Sequence, residues 1–179
     1  MSNITEKENR FVSAVVVSAG NSTRMGGINK QFLEINGIPV LIHTLMVFEN
    51  MDTIDEIVVV TRESDIEDVK SLVEKYGINK VSKVVKGGET RQLSVLSGVS
   101  SVSETTDFVA IHDGARPLVT DAVIDRAVRA GHTYGAAAPA IPVKDTIKLV
   151  QGGIVKETPE RKNLFAVQTP QVFDFDLLR

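Results

Sequence analysis

"FVSAVVVSAGNSTRMGGINKQ", residues 11–31, joins a short apolar run to a loop crowded with glycine, hydroxyl and amide residues and two cations, Arg24 and Lys30. Val12–Val17 has the β-branched content and length of a buried strand. A glycine-rich turn just past such a strand exposes backbone N–H groups that can cradle phosphates. By itself the stretch is equally a glycine turn with surface charges. Two phosphate-binding signatures are excluded by inspection. Gly26 is followed by Gly27 and Ile28 rather than by Lys and Ser or Thr, so this is not a Walker loop. Gly20-Asn21-Ser22 lacks the second glycine of the dinucleotide fingerprint. What remains is A-G-x-x-x-R-M-G-x-x-x-K-Q.

Outward from this loop, β-branched runs alternate with amphipathic stretches. A helix is expected from about Pro39, with Leu41, Leu45 and Phe48 on one face. "EIVVV" (56–60) reads as a second strand. "SDIEDVKSLVEKYG" (64–77) reads as a helix stopped by Gly77. "KVSKVV" (80–85) is a third strand, followed by a helix over 90–102 that Gly87-Gly88 opens. "DFVAI" (107–111) is a fourth strand, "TDAVIDRAVRAG" (120–131) a helix, and "GAAAPA" (135–140) a weaker fifth strand. Alternation of this kind predicts βαβ units: an α/β fold with a doubly wound, mostly parallel, Rossmann-like sheet. Ligands of such sheets sit beyond the carboxyl ends of the strands, where strand order reverses. The loops after Val17, Val85 and Ile111 are therefore the candidates.

From Pro142 the pattern changes. Two alternating segments flank Gln151-Gly152-Gly153, which predicts a protruding β-hairpin arm. One domain is expected over 1–179: an α/β body (10–141), the arm (142–162), and a return to the body (163–179). "AVQTPQVFDFDLLR" (166–179) reads as the start of a helix that ends without a stop signal, as if cut.

Composition bounds the chemistry. The chain has 179 residues, 42% of them hydrophobic and 24% charged, as in an ordinary globular domain. With no cysteine, disulfides, thiolate catalysis and cysteine zinc sites are excluded. A net charge of −3 with both signs scattered offers no basic stripe for nucleic acid, so local cations must hold any anionic ligand. No run approaches a membrane span, and "MSNITEKENR" reads as neither signal nor transit peptide. A cytoplasmic protein without nucleic-acid or membrane partners is expected. No metal-ligand spacing occurs, and His43 and His132 lack catalytic partners at motif spacing. Asp52, Asp55 and Glu56 read as a solvated loop.

Further stretches carry chemistry only in combination. These are "VKGGETRQLSV" (85–95), "AIHDGARP" (110–117), "PVKDTIK" (142–148), "TPER" (158–161) and "VQTPQVF" (167–173). Alone, each is an ordinary turn, helix entry or strand edge. In this order, after the first loop, they resemble the 2-C-methyl-D-erythritol 4-phosphate cytidylyltransferases of non-mevalonate isoprenoid biosynthesis. That family lies in the sugar-nucleotide pyrophosphorylase and cytidylyltransferase superfamily. The resemblance runs from about Ser13 to Arg179.

The resemblance implies attack by the polyol 4-phosphate on the α-phosphorus of CTP, with release of pyrophosphate and with Mg2+ on the phosphates. Arg24 and Lys30 would be the catalytic pair, stabilising charge that builds on the phosphoryl oxygens. Ala19, Gly20, Gly88, Glu89, Ser94, Asp113 and Gly114 would bind the nucleotide, and Arg116, Thr146, Arg161 and Thr169 the methylerythritol phosphate. In the family the arm crosses to a second subunit, so a homodimer through 142–162 is implied, with Thr146 and Arg161 completing the partner's site.

Several positions depart from the family. Ser18 and Gly114 stand where alanine is usual, and Asn29 replaces a proline before Lys30, which implies a less rigid approach to that lysine. The family also continues past this chain's end with a strand-bearing segment that includes a substrate-binding lysine. Two alternatives stay open: a ribitol-5-phosphate cytidylyltransferase, which shares the loop, the "HD-x-x-RP" stretch and the "QTPQ" turn, and a non-catalytic nucleotide-binding protein of the same fold.

Overall fold

The computed structural model describes residues 10–20 and 29–178. Its first strand, β1 (Val12–Val17), is followed by a small hairpin of β2 (Glu34–Ile35) and β3 (Ile38–Pro39) that leads into α1 (Val40–Glu49). Then come β4 (Glu56–Thr61), α2 (Ile66–Lys75), β5 (Val81–Lys86), α3 (Arg91–Val99), β6 (Phe108–Asp113) and α4 (Asp121–Tyr134). The remaining strands are β7 (Ala136–Ala137), β8 (Ala140–Pro142), β9 (Leu149–Gln151), β10 (Ile154–Glu157), β11 (Phe165–Val167) and β12 (Gln171–Asp174).

The main sheet runs β5-β4-β1-β6-β12-β7. Its β5, β4, β1 and β6 are parallel, as the alternation of runs predicts. Fully buried valines and isoleucines on these strands alternate between two apolar layers. One layer holds Val12, Ala14 and Val16 with Leu41, Leu45 and Phe48 of α1, Val69 of α2 and Ile124 of α4. The opposite layer holds Val15, Val58, Val60, Val109 and Ile111 with Val99 of α3. Strand order goes outward from β1 to β4 and β5 and then returns to β6 on the other side of β1. That reversal opens a crevice beyond Val17 and Asp113, which are register partners.

Four details differ from the sequence reading. The stretch 135–140 does not form one strand. It splits into β7 and β8 around Pro139, which has no N–H to give a ladder. Residues 171–174 form β12 rather than a helix, and β12 lies antiparallel against β6. Val172 enters the first apolar layer and Phe173 the second, a period of two that only a strand covered on both faces can satisfy. The arm is shorter than expected. β9 and β10 pair through Gly152 and Gly153, whose φ values of +58° and +76° suit a tight hairpin turn, whereas 143–148 carries no strand and β8 pairs with β11 at the base. Among the described residues, no helix is long and apolar enough to cross a membrane.

The fourth difference is Glu56, which belongs to no solvated loop. It opens β4 at 7% exposure, and its carboxylate accepts hydrogen bonds from Ser13 Oγ (2.7 Å), Ser82 Oγ (2.5 Å) and the Ser103 N–H (2.9 Å). Asp55 beside it accepts the Val12 N–H at 2.8 Å. Three donors around one carboxylate compensate its desolvation and join β1, β4, β5 and the turn after α3.

Burial pushes the Glu56 carboxyl up, but its hydrogen bonds outweigh that and hold it below its ordinary value. A depressed folded value means the stabilisation is present above the ordinary value of 4.5 and is lost as pH falls through the folded one. Glu56→Gln is expected to lose about 1–3 kcal/mol in urea unfolding at pH 7. Its difference from the parent chain should shrink as the pH is taken down toward 3.

Candidate active site

Three loops and one turn meet at the crevice. The loop after β1 enters with Ser18, whose N–H and Oγ both donate to the Val60 carbonyl, at 2.7 and 2.8 Å. Ala19 follows, half-buried, and then Gly20, exposed. Arg24 lies outside the described residues. Asn29 and Lys30 are described. The Asn29 side chain donates to Asp65 Oδ2 at 2.9 Å and accepts the Gln31 N–H at 3.3 Å. Asp65 is itself buried and paired with Arg62 at 2.7 Å. Lys30 itself is exposed.

The loop after β5 lies directly against the first. A Cβ placed on Gly87 would stand 2.4 Å from Ala19 Cβ and 2.8 Å from Ser94 Oγ, so no larger residue fits between the loops. Ser94 is buried beneath the loop, where its Oγ accepts the Gly88 N–H at 3.1 Å and donates to the Thr90 carbonyl at 2.9 Å. Its place is that of a clamp on the loop. Thr90 caps α3, its Oγ1 accepting the Leu93 N–H at 3.1 Å. Gly88 and Glu89 are exposed on the rim.

The loop after β6 carries the charge. Asp113 Oδ1 accepts Nε and Nη2 of Arg91, both at 3.1 Å, and Oδ2 accepts Nε of Arg116 at 2.9 Å. Burial pushes the Asp113 carboxyl up, but the hydrogen bonds and charges of Arg116 and Arg91 hold it below its ordinary value. Arg116 Nη1 also donates to Gln168 Oε1 at 2.5 Å, which fixes the guanidinium between loop and turn. Gly114 is buried, and its N–H donates to the Val17 carbonyl at 2.8 Å while its own carbonyl accepts Thr44 Oγ1 at 2.8 Å. Beside Arg116 lies a cleft of about 600 Å³ whose walls include Val123, Arg126, Ile141 and Thr169.

The structure therefore brings Ala19, Gly88, Ser94, Asp113, Arg116 and Thr169 to one crevice. Thr146 and Arg161 stand on the arm. Arg161 Nη1 donates to the Lys144 carbonyl at 3.0 Å, and no hydrogen bond or ion pair among the described residues joins either side chain to Asp113, Arg116 or Thr169. Sequence reasoning overlooked Arg91, Gly87, Gln168 and His112, although all four fall inside or beside the stretches it singled out. Arg91 follows Gly87-Gly88-Glu89-Thr90 directly, at the first turn of a capped helix. His112 falls on the same strand face as Ala110, toward Phe48.

A family model for 2-C-methyl-D-erythritol 4-phosphate cytidylyltransferase matches residues 12–179. The protein of that name from Caldanaerobacter subterraneus subsp. tengcongensis is 48% identical over 170 residues, 93% of this chain and 75% of that protein. One from Clostridium botulinum strain ATCC 19397 is 46% identical over 168 residues, 93% of this chain and 73% of that one. Among solved structures, the 4-diphosphocytidyl-2C-methyl-D-erythritol synthase of Anaerococcus prevotii superposes with a TM-score of 0.83 at 32% identity. That match covers 94% of this chain and 72% of the other.

Gly87→Ala tests how tightly the two loops are packed. The new methyl would overlap Ala19 Cβ, so the loops must separate or the strand ends shift. A loss of about 1–3 kcal/mol in chemical denaturation is expected, against a change near zero for Gly20→Ala, where a Cβ meets nothing within 4 Å among the described residues.

Proposed function

The chain belongs to the 2-C-methyl-D-erythritol 4-phosphate cytidylyltransferase family, and we propose that its crevice carries the family's reaction with the residue roles that follow. The enzyme converts CTP and 2-C-methyl-D-erythritol 4-phosphate to 4-diphosphocytidyl-2-C-methyl-D-erythritol and pyrophosphate. The observation that carries the reading is the family match from residue 12 to 179 on a fold whose switch point holds Asp113 between two arginines.

An oxygen of the polyol phosphate attacks the α-phosphorus of CTP, and the bond from that phosphorus to the bridging oxygen of the β-phosphate breaks. Negative charge grows on the α-phosphoryl oxygens and on the departing pyrophosphate. Arg24 and Lys30 stabilise it by their charge. The backbone of Ala19 and Gly20 lies along the triphosphate. The loop of Gly88 and Glu89, clamped by Ser94, reads the cytosine edge, and Asp113 and Gly114 border the ribose.

Arg116 and Thr169 face the methylerythritol phosphate. With one N–H on Asp113 and one on Gln168, the Arg116 guanidinium keeps three donors for a phosphate in a held orientation. The described residues at this crevice do not make a cage for magnesium. Both Asp113 oxygens are engaged by arginines, and no set of three or more acidic, histidine or cysteine residues among those described could hold a metal. Magnesium would arrive on the triphosphate oxygens and contribute charge neutralisation there.

Arg24→Ala and Lys30→Ala are each expected to lower kcat by roughly 10²-fold or more, followed as pyrophosphate release from CTP and methylerythritol phosphate. Far-UV dichroism should stay unchanged for each variant, so that the loss is one of turnover and not of fold. Near-normal turnover in both would remove the cations from the mechanism. ATP and GTP should be poor donors, because the wrong base leaves buried polar groups unpaired. Faster turnover of ribitol 5-phosphate would reassign the acceptor.

The proposal extends to assembly. Leu149, Val150, Ile154 and Val155 are each more than half exposed on the hairpin, an apolar surface that a lone two-stranded ribbon cannot bury. A two-fold homodimer would cover it and bring Thr146 and Arg161 toward the partner's acceptor site. The reading includes a cytoplasmic location. Light scattering at micromolar concentration should give a dimer mass, and Ile154→Asp should shift it toward the monomer. A monomer for the unsubstituted chain contradicts this assembly.

A further inference from the structure

The His112 ring is fully buried at the end of β6, tilted against Phe48 with centroids 5.0 Å apart at 54°. Both of its nitrogens nevertheless reach groups of the site. Nε2 stands 3.3 Å from the Arg116 carbonyl, and Nδ1 stands 3.0 Å from Thr169 Oγ1. A carbonyl oxygen only accepts, so Nε2 carries the proton. Burial drives the ring's pKa down to about 4, against the raising effects of the Arg116 carbonyl and of Asp113, so the ring is neutral at pH 7. Nδ1 then accepts the Thr169 hydroxyl. The same hydroxyl oxygen takes the Asp113 N–H at 3.5 Å.

One side chain thereby joins two pieces of backbone that the sequence places far apart. The 113–116 loop hangs from Nε2 and the Thr169 turn from Nδ1, while Arg116 and Gln168 close the ring of contacts on the solvent side at 2.5 Å. A histidine needed only for packing would have no reason to present a donor to one loop and an acceptor to the other. Phenylalanine would pack against Phe48 as well.

We propose that His112 is a positioning residue for the acceptor phosphate: its two ring nitrogens hold the Arg116 loop and the Thr169 turn at one separation, so that both meet the substrate as a single surface. The inference rests on the reading of Arg116 and Thr169 as the methylerythritol-phosphate face.

His112→Phe keeps the ring on Phe48 and removes both links. The expected result is a KM for methylerythritol phosphate raised about tenfold or more, the scale of a buried polar pair left open, with the KM for CTP changed by less than about threefold. His112→Asn, whose amide oxygen can still accept from Thr169, should recover part of that loss. Equal effects on both substrates, or a fall in kcat that matches the folded fraction, would overturn the proposal. Long-range 1H–15N NMR of the unsubstituted chain at pH 7 gives a readout that needs neither a variant nor turnover. A bare Nδ1 beside a protonated Nε2 supports the linkage, and a proton on Nδ1 refutes it. If the unsubstituted chain turns over no methylerythritol phosphate while the tautomer is as stated, the functional reading of the face has failed and the tether itself stands.

Discussion

Val17 and Asp113 end neighbouring parallel strands in register, and the site hangs on that pairing. The hydrogen bond from the Gly114 N–H to the Val17 carbonyl continues the ladder one step past the strands, so the two loops diverge from a common point. Everything that meets at the crevice is measured from there. Arg91 reaches Asp113 because α3 begins directly after the loop that packs on Ala19, and Arg116 reaches it because the turn folds back within three residues. A slip of one residue between β1 and β6 would turn Asp113 toward the position now held by His112, and His112 toward the opposite layer.

The electrostatics of the crevice follow from the same geometry. The chain as a whole carries −3, yet one carboxylate here faces two arginines, and Arg126 lines the adjoining cleft. The side chains of Arg91 and Arg116 are about half exposed, so these pairs contribute little to folding. Their consequence is directional. A guanidinium held by a carboxylate at one edge and an amide at another offers its remaining donors along one line, which suits a phosphate better than a freely rotating side chain does.

Body and arm obey different physics. In the body, the parallel strands β4, β1 and β6 are sealed between helices, and the buried Glu56 accepts hydrogen bonds from three donors. The arm has two short strands and exposed apolar residues on both faces. A segment of this kind gains order from what it docks on, not from its own contacts.

The parallel core was legible in the sequence because its signal is local. Runs such as Val12–Val17 and Glu56–Thr61 separated by amphipathic stretches have few other ways to bury their side chains, and a glycine-rich loop after the first strand has a rule-bound place beside the crevice. Asp113, Arg116 and the loop ahead of Lys30 could be singled out for the same reason, since each lies within a few residues of a strand end. What the chain order could not reveal was the strand at Gln171–Asp174, the buried role of Glu56, or the junction of His112 with Thr169. Each depends on a partner dozens of residues away, and alternation over four residues or a lone acidic side chain reads the same whether that partner exists or not. Periodicity determined which faces must be buried. Only the closed sheet decided which polar atoms would face one another across it, because a hydrogen bond is satisfied by position in space and leaves no period in the sequence.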